Sequence, residues 1–461
     1  MEILFPKNFQ WGVATAAYQI EGNSKGDGKG ESIWDRFSHI PGRIKDGSTG
    51  DVACDFYHSY EEDIRLASET GVSVFRMSIS WSRIFPKGVG QLEQRGINFY
   101  RNVLTCIHKY GMQSSVTLYH WDLPQALQNR GGWANRESVE WFRKYAETAF
   151  REFGDLVDQW ATFNEPHVIA FSGNWSGNHA PGNRDFNLAL QVVHHLLLAH
   201  GSAVKEYRKS GLNKEIGIVL NMNFCQPFDP NCEDDIWAAT MRRYYQNELF
   251  ASPIMKGAYP KEFFDHLQSR GVVLPEVCEE DMELIHQPID FLGVNNYFMD
   301  HIKRSDEEWP LSNKVVMTGA PKTETGWEIH PEGIYYLVKW VNDTYSPRKI
   351  IITENGMAGN DYRDEEGRVH DPYRISYLKQ YLYQLHRAID EGIPIKGYYV
   401  WSLIDNFEWS TGFSKRFGIV HVDYNTLQRT PKDSYYWLKN VTKENGFDYM
   451  DIMDAQNISI Q

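Results

Sequence analysis

Two glutamates of the chain stand in short polar segments, each at the end of an apolar, β-branched run. Glu165 lies in the segment TFNEP (162–166), and Glu354 lies in the segment TENG (353–356). In a parallel barrel the C-terminal ends of all strands share one rim, so carboxylates that are far apart in sequence meet there. A facing pair of carboxylates can cleave a glycosidic bond.

The residues that follow each glutamate predict how its strand ends. Pro166 disfavours a helical conformation at the residue before it, so we expect Glu165 to leave its strand in an extended conformation. Asn355 and Gly356 form a turn pair that we expect to stop the second strand at the rim. Both carboxylates should therefore face the mouth of the barrel.

Eight short apolar segments, separated by helical periodicity, are the elements that must position these groups. The predicted strands are 10–14, 74–80, 113–120, 156–164, 216–222, 291–297, 350–354 and 395–403. Strands that alternate with helices favour a parallel sheet, and eight such strands can close with side chains filling the interior. We predict an α/β fold, a single (β/α)8 TIM barrel domain over residues 1–461 with long βα loops. A doubly wound open sheet is the alternative.

The helical periodicity is clearest in two segments, where apolar residues recur three and four positions apart. These are 139–153 and 375–389. Five glycines each follow a helical pattern and precede a strand, where a residue free to adopt positive φ ends a helix. They are Gly71, Gly111, Gly154, Gly211 and Gly392.

The connections between elements are unequal in length. Those from helix to strand are short, whereas the segments after strands one, four, six and eight are long and rich in Trp, Tyr, Asn and Gly. Aromatic residues make up 14% of the chain, and their rings suit a ligand with apolar faces and polar edges. Long loops on one face of a barrel predict a deep site there.

Composition excludes several function classes. With 47 basic against 61 acidic residues the net charge is −14, which opposes attraction to nucleic acid and to anionic membranes. No apolar run approaches the roughly 20 residues of a membrane helix, and the N-terminus lacks the features of a secretory signal. Five scattered cysteines without a CxxC motif indicate reduced thiols. We expect a cytoplasmic protein with no nucleic-acid or membrane partner.

Other catalytic chemistries lack their motifs in this sequence. His194, His195 and His200 fall on one predicted helix, but none is paired four residues apart and there is no HExxH. The nucleophile elbow GxSxG of a Ser-His-Asp hydrolase is absent as well. We therefore expect neither a metal nor a cofactor.

Six motifs in order make the chain resemble the β-glucosidases of glycoside hydrolase family 1, from Phe9 to about Trp437. They are FQWG (9–12) with AYQIEG (17–22), FRMSISW (75–81), YHWDLP (119–124), TFNEP (162–166), TENG (353–356) and NFEW (406–409). The resemblance implies a (β/α)8 barrel, with Glu165 as acid/base and Glu354 as nucleophile. It also implies that Arg76 and Tyr297 support the nucleophile.

The resemblance further implies a sugar-binding set, with Trp327 as a wall on the leaving-group side. The remaining members are Gln19, His120, Trp121, Asn164, Asn295, Trp401, Glu408 and Trp409. Structural roles are the alternatives for two of these residues. Arg76 could form a buried structural ion pair, and His120 could be a core histidine. Core packing is the alternative for the tryptophans. Asn296 departs from the family, which more often has Tyr there, and we assign it no role.

The resulting hypothesis is a retaining β-glucosidase that removes terminal non-reducing β-D-glucosyl residues, and β-galactosyl or fucosyl residues, by double displacement. Its partner is a small oligosaccharide or aryl glycoside. A 6-phospho-β-glucosidase is one alternative: Lys415 fits it, but Glu408 and Phe417 do not. A non-catalytic sugar-binding relative, a barrel of unrelated chemistry and a thioglucosidase are others. The sequence leaves open whether the chain forms a homo-oligomer.

Overall fold

The computed structural model describes residues 2–448, and its centre is a closed barrel of eight parallel strands. In chain order the strands are β1 (Glu2–Leu4), β2 (Gln10–Ala14), β3 (Val74–Ser78), β4 (Gln113–Tyr119), β5 (Gln159–Asn164), β6 (Glu215–Asn221), β7 (Cys225–Pro227), β8 (Phe291–Asn295), β9 (Asp300–Arg304), β10 (Asn313–Val315), β11 (Ile350–Asn355), β12 (Ile395–Trp401), β13 (Val420–Val422), β14 (Arg429–Pro431) and β15 (Gly446–Asp448).

The barrel is formed by β2, β3, β4, β5, β6, β8, β11 and β12. Each of these strands pairs in parallel with the next, and β12 pairs with β2, so the sheet has no edge. The eight predicted strands and the barrel are thus confirmed, and the open doubly wound sheet is wrong. Strand bounds shift slightly: the predicted strand 156–164 begins at Gln159, and 395–403 ends at Trp401.

Side chains that point inward form an apolar core of their own inside the barrel. Its members from the strands are Ala14, Val74, Ala161, Val219, Phe291, Ile351, Tyr399 and Trp401, and Tyr297 and Trp327 pack against it. Neighbours in sequence such as Val13 and Phe75 belong instead to the large core between strands and helices. This alternation fills the interior of the barrel with apolar side chains below its C-terminal rim.

The helices surround the barrel and supply that larger core. They are α1 (Ala17–Ile20), α2 (Ile33–Ser38), α3 (Phe56–Glu69), α4 (Trp81–Ile84), α5 (Gln94–Lys109), α6 (Gln125–Gln128), α7 (Ser138–Phe153), α8 (Phe186–Lys209), α9 (Glu233–Arg243), α10 (Leu249–Lys256), α11 (Lys261–Ser269), α12 (Glu279–Ile285), α13 (Glu332–Tyr345), α14 (Pro372–Asp390) and α15 (Asp433–Glu444). The two helices with the clearest periodicity, α7 and α14, are confirmed. In α7 the buried Phe142, Ala146 and Ala149 form one apolar stripe.

Four of the five predicted helix-ending glycines have a positive φ, namely Gly71, Gly111, Gly211 and Gly392. Gly154 also ends its helix, as the cap residue after Phe153 of α7, but its φ is −61° instead of positive. A Cβ at Gly154 would lie 2.5 Å from Cδ1 of Leu212 and 2.4 Å from the carbonyl oxygen of Phe150. Close packing, rather than left-handed backbone, is therefore the reason for glycine there.

The long connections predicted after strands one, four, six and eight are 15–55, 165–185, 296–331 and 402–432. They lie on the rim where the barrel strands end. The connection after β8 carries β9 and β10, which form a small sheet with β7, and the last connection contains the hairpin of β13 and β14. None of the helices within residues 2–448 is long and apolar enough to cross a membrane.

Candidate active site

A cavity of about 540 Å³ opens at the C-terminal rim, within the size range of small-molecule sites. All the residues predicted for the site except Arg76 and Gln19 line it: His120, Trp121, Asn164, Glu165, Asn295, Tyr297, Trp327, Glu354, Trp401, Glu408 and Trp409. Arg76 and Gln19 lie behind the wall, and each donates to one of its carboxylates. Closing the barrel therefore brings the two predicted catalytic carboxylates into one cavity.

Glu354, near the end of β11, is held by two strong donors. Nη1 of Arg76 lies 2.6 Å from Oε1, and the phenol of Tyr297 donates to Oε2 over 2.6 Å. The Arg76 and Glu354 side chains are almost completely buried. A charge-assisted bond and a phenol bond to a buried carboxyl fix its orientation, as a nucleophile requires. The ion pair that was one alternative for Arg76 thus involves the candidate nucleophile itself.

Glu165 follows β5 directly, but its backbone is not extended as expected. Its φ is 49°, in the left-handed region that a glutamate rarely adopts. Its N–H donates to the carbonyl of Val219 over 2.9 Å, and a helical turn starts at once after it. The tight turn outweighs the preference imposed by Pro166. Backbone strain of this kind costs about 1–3 kcal/mol and is found at functional sites.

Glu165 has weaker partners than Glu354. Burial, and next the charge of Glu354, raise the pKa of Glu165 to about 8, while the amide of Asn295 opposes the shift. Nδ2 of Asn295 donates to Oε1 of Glu165 over 2.6 Å. A carboxyl with this pKa is mostly protonated at neutral pH, which suits a general acid.

Two amides connect the surroundings of the two glutamates. Oδ1 of Asn164 accepts from Nη2 of Arg76 over 2.8 Å and from Nδ2 of Asn295 over 3.0 Å. Oδ1 of Asn295 accepts from the hydroxyl of Thr353 over 2.7 Å. These bonds orient both amides and place the donors of Asn295 toward Glu165. A single network thus fixes the spacing of the carboxylates.

His120, after β4, is neutral and offers a donor to the cavity. Nδ2 of Asn164 donates to Nε2 of His120 over 3.0 Å, so the proton of the imidazole lies on Nδ1. Burial, and next the charge of Arg76, hold the pKa of His120 well below its ordinary value. Nδ1 is buried without a protein partner. This arrangement favours a hydroxyl-binding role over that of a satisfied core histidine.

Glu408 lies beside the tryptophans and is contacted by Gln19. Nε2 of Gln19 lies 3.3 Å from Oε2 of Glu408 and also donates to Asn406 and Phe407. Burial, and next the charge of Glu354, raise the pKa of Glu408 to about 8. An ionised Glu408 would repel a sugar phosphate. Because of the raised pKa, this repulsion is weaker at neutral pH and strengthens as the pH rises through about 8.

The aromatic side chains form two walls. Trp409 is stacked against His120 at 5.8 Å between ring centroids and packs against Trp121 at 4.4 Å. On the other side, Trp327 packs against Tyr297 at 5.3 Å. Trp401 and Trp409 are nearly buried, as core residues would be, yet both contribute surface to the cavity. Flat apolar faces next to polar edges suit a sugar ring.

Several lining residues were not predicted from the sequence. They include Lys45, Val168, His179, Asn221, Asn223, Phe298, Glu324, Thr325 and Thr411. Except for Asn221 and Asn223, at and just after the end of β6, they come from the long connections, whose composition predicts a site but does not identify individual contacts. Asn296 does not line the cavity; its amide donates to the carbonyl of Met222 over 2.8 Å. Gly356 is required by close approach, since a Cβ there would lie 1.9 Å from the carbonyl oxygen of Trp401.

In chemical terms the cavity combines the strongly bonded carboxyl of Glu354 with two carboxyls of raised pKa, Glu165 and Glu408, around a space fit for a sugar. Within residues 2–448, no group of three or more His, Cys, Asp and Glu side chains is arranged to hold a metal ion. His200, one of the three helix histidines, instead bonds Thr162 through Nδ1 over 2.8 Å.

Comparison with known proteins gives a consistent picture. Residues 1–447 match the model of glycosyl hydrolase family 1. β-Glucosidase A of Acetivibrio thermocellus is 48% identical over 97% of this chain and 100% of its own. A bifunctional β-D-glucosidase/β-D-fucosidase of Bifidobacterium breve is 39% identical over 95% of this chain and 98% of its own. The structure of a β-glucosidase from Thermotoga maritima in complex with deoxynojirimycin superposes with a TM-score of 0.94 at 48% identity, covering 97% of this chain and 100% of that one.

Proposed function

The chain belongs to glycosyl hydrolase family 1, and from that premise we propose that it is a retaining β-glucosidase with Glu354 as nucleophile and Glu165 as acid/base. The observation that carries the assignment is the contrast between the two carboxyls in one cavity. Glu354 receives donors from Arg76 and Tyr297, whereas burial keeps Glu165 protonated.

In the first step Glu354 attacks the anomeric carbon while Glu165 gives its proton to the leaving oxygen. The products are a glycosyl ester of Glu354 and the free aglycone. Arg76 and Tyr297 hold the attacking carboxylate in place, and His120 and Trp409 orient the sugar. Glu165 ends this step as an anion.

In the second step Glu165 acts as a base. The ester at Glu354 carries no negative charge, so the second-largest cause of the raised pKa of Glu165 is removed. The pKa of Glu165 then falls, and the carboxylate takes a proton from a water that attacks the anomeric carbon. The same group therefore serves as acid and as base because the charge of its neighbour changes between the steps.

The substrate class is terminal non-reducing β-D-glucosyl residues of oligosaccharides and of aryl or alkyl glucosides. The relatives named β-glucosidase support glucose, and the relative named bifunctional supports β-fucosyl residues. The Thermotoga maritima β-glucosidase in complex with galacto-hydroximolactam supports β-galactosyl residues. Gln19, Asn164, Glu408 and the tryptophans form the sugar-binding set, with Trp327 on the leaving-group side. Cellobiose is the natural test substrate for a role in cellulose degradation.

A 6-phospho-β-glucosidase is disfavoured by the surroundings of Lys415. Its ammonium group bonds the carbonyl of Glu324 and lies 3.8 Å from that residue's carboxylate, and Phe417 offers no hydroxyl to a phosphate. We expect kcat/KM for an aryl β-glucoside to exceed that for its 6-phosphate by at least about 100-fold, a difference of about 3 kcal/mol. That ratio should rise with pH through about 8, where Glu408 gains charge. A preference for the 6-phosphate would move the function to the other class.

The remaining proposals concern the chain as a whole. A single catalytic domain is supported by a family model that matches residues 1–447, and a cytoplasmic location is supported by five free cysteines. Small glycosides are the proposed partners, as sugar-like inhibitors are for the neighbouring structures. Self-association is left open.

Product stereochemistry tests the proposed function. Hydrolysis of an aryl β-glucoside followed by proton NMR should release the β-anomer of glucose first, because two inversions retain the configuration. Release of the α-anomer first would contradict the double displacement. Absence of turnover would favour a non-catalytic sugar-binding protein.

A further inference from the structure

Six ionisable side chains form a buried cluster beside the active site, which we call the charge cluster. Its members are Asp361, Asp371, Arg374, Asp405, Arg416 and Lys432. Three carboxylates face three cations, and every side chain except that of Arg416 is completely buried.

Asp405 is the most heavily bonded carboxylate of the charge cluster. Oδ1 accepts from Nζ of Lys432 over 2.7 Å and from the N–H of Gly418 over 3.0 Å. Oδ2 accepts from Nη1 of Arg416 over 2.6 Å and from the N–H of Val422 over 3.4 Å. Each oxygen of the carboxylate thus has two donors. The four bonds hold residue 405 against Lys432, Gly418, Arg416 and Val422.

A buried cluster of charges contributes little net free energy to folding. Removing six charges from water costs several kcal/mol per ion, and well-packed apolar residues often stabilise as well as a buried ion pair does. What ionic contacts add is geometry, because each carboxylate oxygen accepts only from donors at defined positions. The position of the cluster therefore indicates what geometry it secures.

One side of the charge cluster holds the segment that follows Glu354. Nε of Arg374 donates to the carbonyl of Met357 over 3.3 Å, and Nη2 of Arg374 lies 2.7 Å from the carboxylate of Asp361. The N–H of Gly359 donates to the carbonyl of Arg416 over 2.9 Å. The cluster thus binds the chain within a few residues of the candidate nucleophile.

The other side holds the segment 405–409, which carries Glu408. Nε2 of Gln19 donates to Oδ1 of Asn406 over 2.9 Å and to the carbonyl of Phe407 over 3.0 Å. Among the described residues, the Glu408 carboxyl receives only the long bond from Gln19. The N–H of Glu408 donates to the carbonyl of Gly412 over 2.8 Å, and Trp409 has a left-handed φ of 47°. With one partner for its side chain, the Glu408 carboxyl takes its place from the backbone of the segment 405–409, whose first residue is Asp405.

We propose that Asp405 is a positioning residue for sugar recognition, which sets the place of Glu408 and Trp409 relative to the nucleophile segment through the charge cluster. This inference rests on the proposed function, because it needs a glycoside that is hydrolysed in the cavity. It assigns a role in selectivity to a residue that does not line the cavity and touches no substrate.

The test compares Asp405→Asn with a matched control, Asp281→Asn. Asp281 is also a buried carboxylate that is paired with an arginine, Arg136, and it accepts from Nε2 of His194 over 3.0 Å, but it lies on α12. Each variant is assayed with one aryl β-glucoside and with each of its monodeoxy analogues. The readout is how much each hydroxyl contributes to kcat/KM, a ratio that a general loss of folded enzyme leaves unchanged.

We expect Asp405→Asn to lower kcat/KM for the parent glucoside by about 30-fold, since a misplacement of about 1 Å near a reacting centre costs up to 10²-fold. At least one monodeoxy analogue, lacking a hydroxyl that the segment 405–409 binds, should lose less than about 3-fold on the same argument. Asp281→Asn should change kcat/KM for all substrates by one common factor. A common factor for Asp405→Asn as well would overturn the inference.

A second variant covers the case in which Asp405→Asn does not fold. Arg416→Met removes one donor to Asp405 from a side chain that is 20% exposed, so its effect on folding is smaller. Selective loss with the parent glucoside supports the inference, and parallel loss over the whole panel overturns it. If the wild type hydrolyses no member of the panel, the proposed function fails first, and that result is distinct from a change in selectivity.

Discussion

The two sides of the cavity surround chemically identical carboxyl groups with different partners. On one side Glu354 receives a guanidinium and a phenol at 2.6 Å each. On the other side Glu165 receives one neutral amide and is otherwise buried, which raises its pKa to about 8. The comparison teaches that surroundings, rather than residue type, divide the roles of nucleophile and acid between two glutamates.

Removing the proposed nucleophile should abolish this difference most completely. Glu354→Gly should lower kcat by about 10⁵-fold or more, the scale at which loss of a covalent catalyst acts. Added azide should restore turnover and give an α-glycosyl azide, because a small anion can occupy the vacated space on the face opposite the leaving group. Product analysis by NMR checks this expectation. Rescue that gives the β product would place the nucleophile elsewhere.

Removing the other carboxyl should give a smaller and selective loss. Glu165→Ala should lower kcat/KM by about 10³-fold for a glucoside whose leaving group needs a proton. With a dinitrophenyl leaving group the first step should persist and the second should stall, which a burst of phenolate reveals in a stopped-flow trace. Azide should accelerate the second step and give the β-glycosyl azide. Equal losses for both leaving groups, or an α product, would contradict the assignment of Glu165.

The contrast can be reduced by removing one donor from the nucleophile side. Tyr297→Phe should lower kcat/KM by about 10²-fold, the usual cost of one lost donor in a preorganised site. Tyr335→Phe is a matched control. Its phenol donates to the carboxylate of Glu391 over 2.7 Å, and it lies outside the cavity. Steady-state kinetics of both variants check the expectation. A similar loss in the control would assign the effect to folding.

The smallest expected effect comes from pH. Glu165 must carry its proton in the first step, so kcat/KM for an ordinary aryl glucoside should fall as the pH rises through about 8, the value to which burial and Glu354 raise its pKa. The decline should approach about tenfold per pH unit above that point. A dinitrophenyl glucoside needs no proton and should lack this limb. A limb shared by both substrates would indicate that another group titrates.

Local patterns predicted most of the architecture. Strands and helices follow from apolar runs and periodicity, so β2 to β12 of the barrel and helices such as α7 were found from sequence alone. The site residues were found because short motifs surround them. What escaped prediction depends on distant neighbours: the left-handed turn at Glu165 and the close packing at Gly154 are set by residues that only the closed barrel brings together.

The charge cluster is the clearest example of this limit. Lys432 and Asp361 are 71 residues apart in sequence, and nothing in either local segment indicates that they pair. A charged residue that lies far from any motif is predicted to be exposed, because most charged residues are exposed. Long-range electrostatics therefore required the structure, whereas secondary structure did not.

The central claim is that burial, together with the charge of Glu354, keeps Glu165 protonated in the free enzyme. The direct measurement is a carbon-13 NMR titration of glutamates labelled at the side-chain carboxyl, in the wild type and in Glu354→Gln. The account predicts a resonance of Glu165 that titrates near pH 8 in the wild type and at a lower pH in the variant, where one cause of the raised pKa is lost. A Glu165 that titrates near its ordinary value in the wild type, or at an unchanged pH in Glu354→Gln, would contradict it.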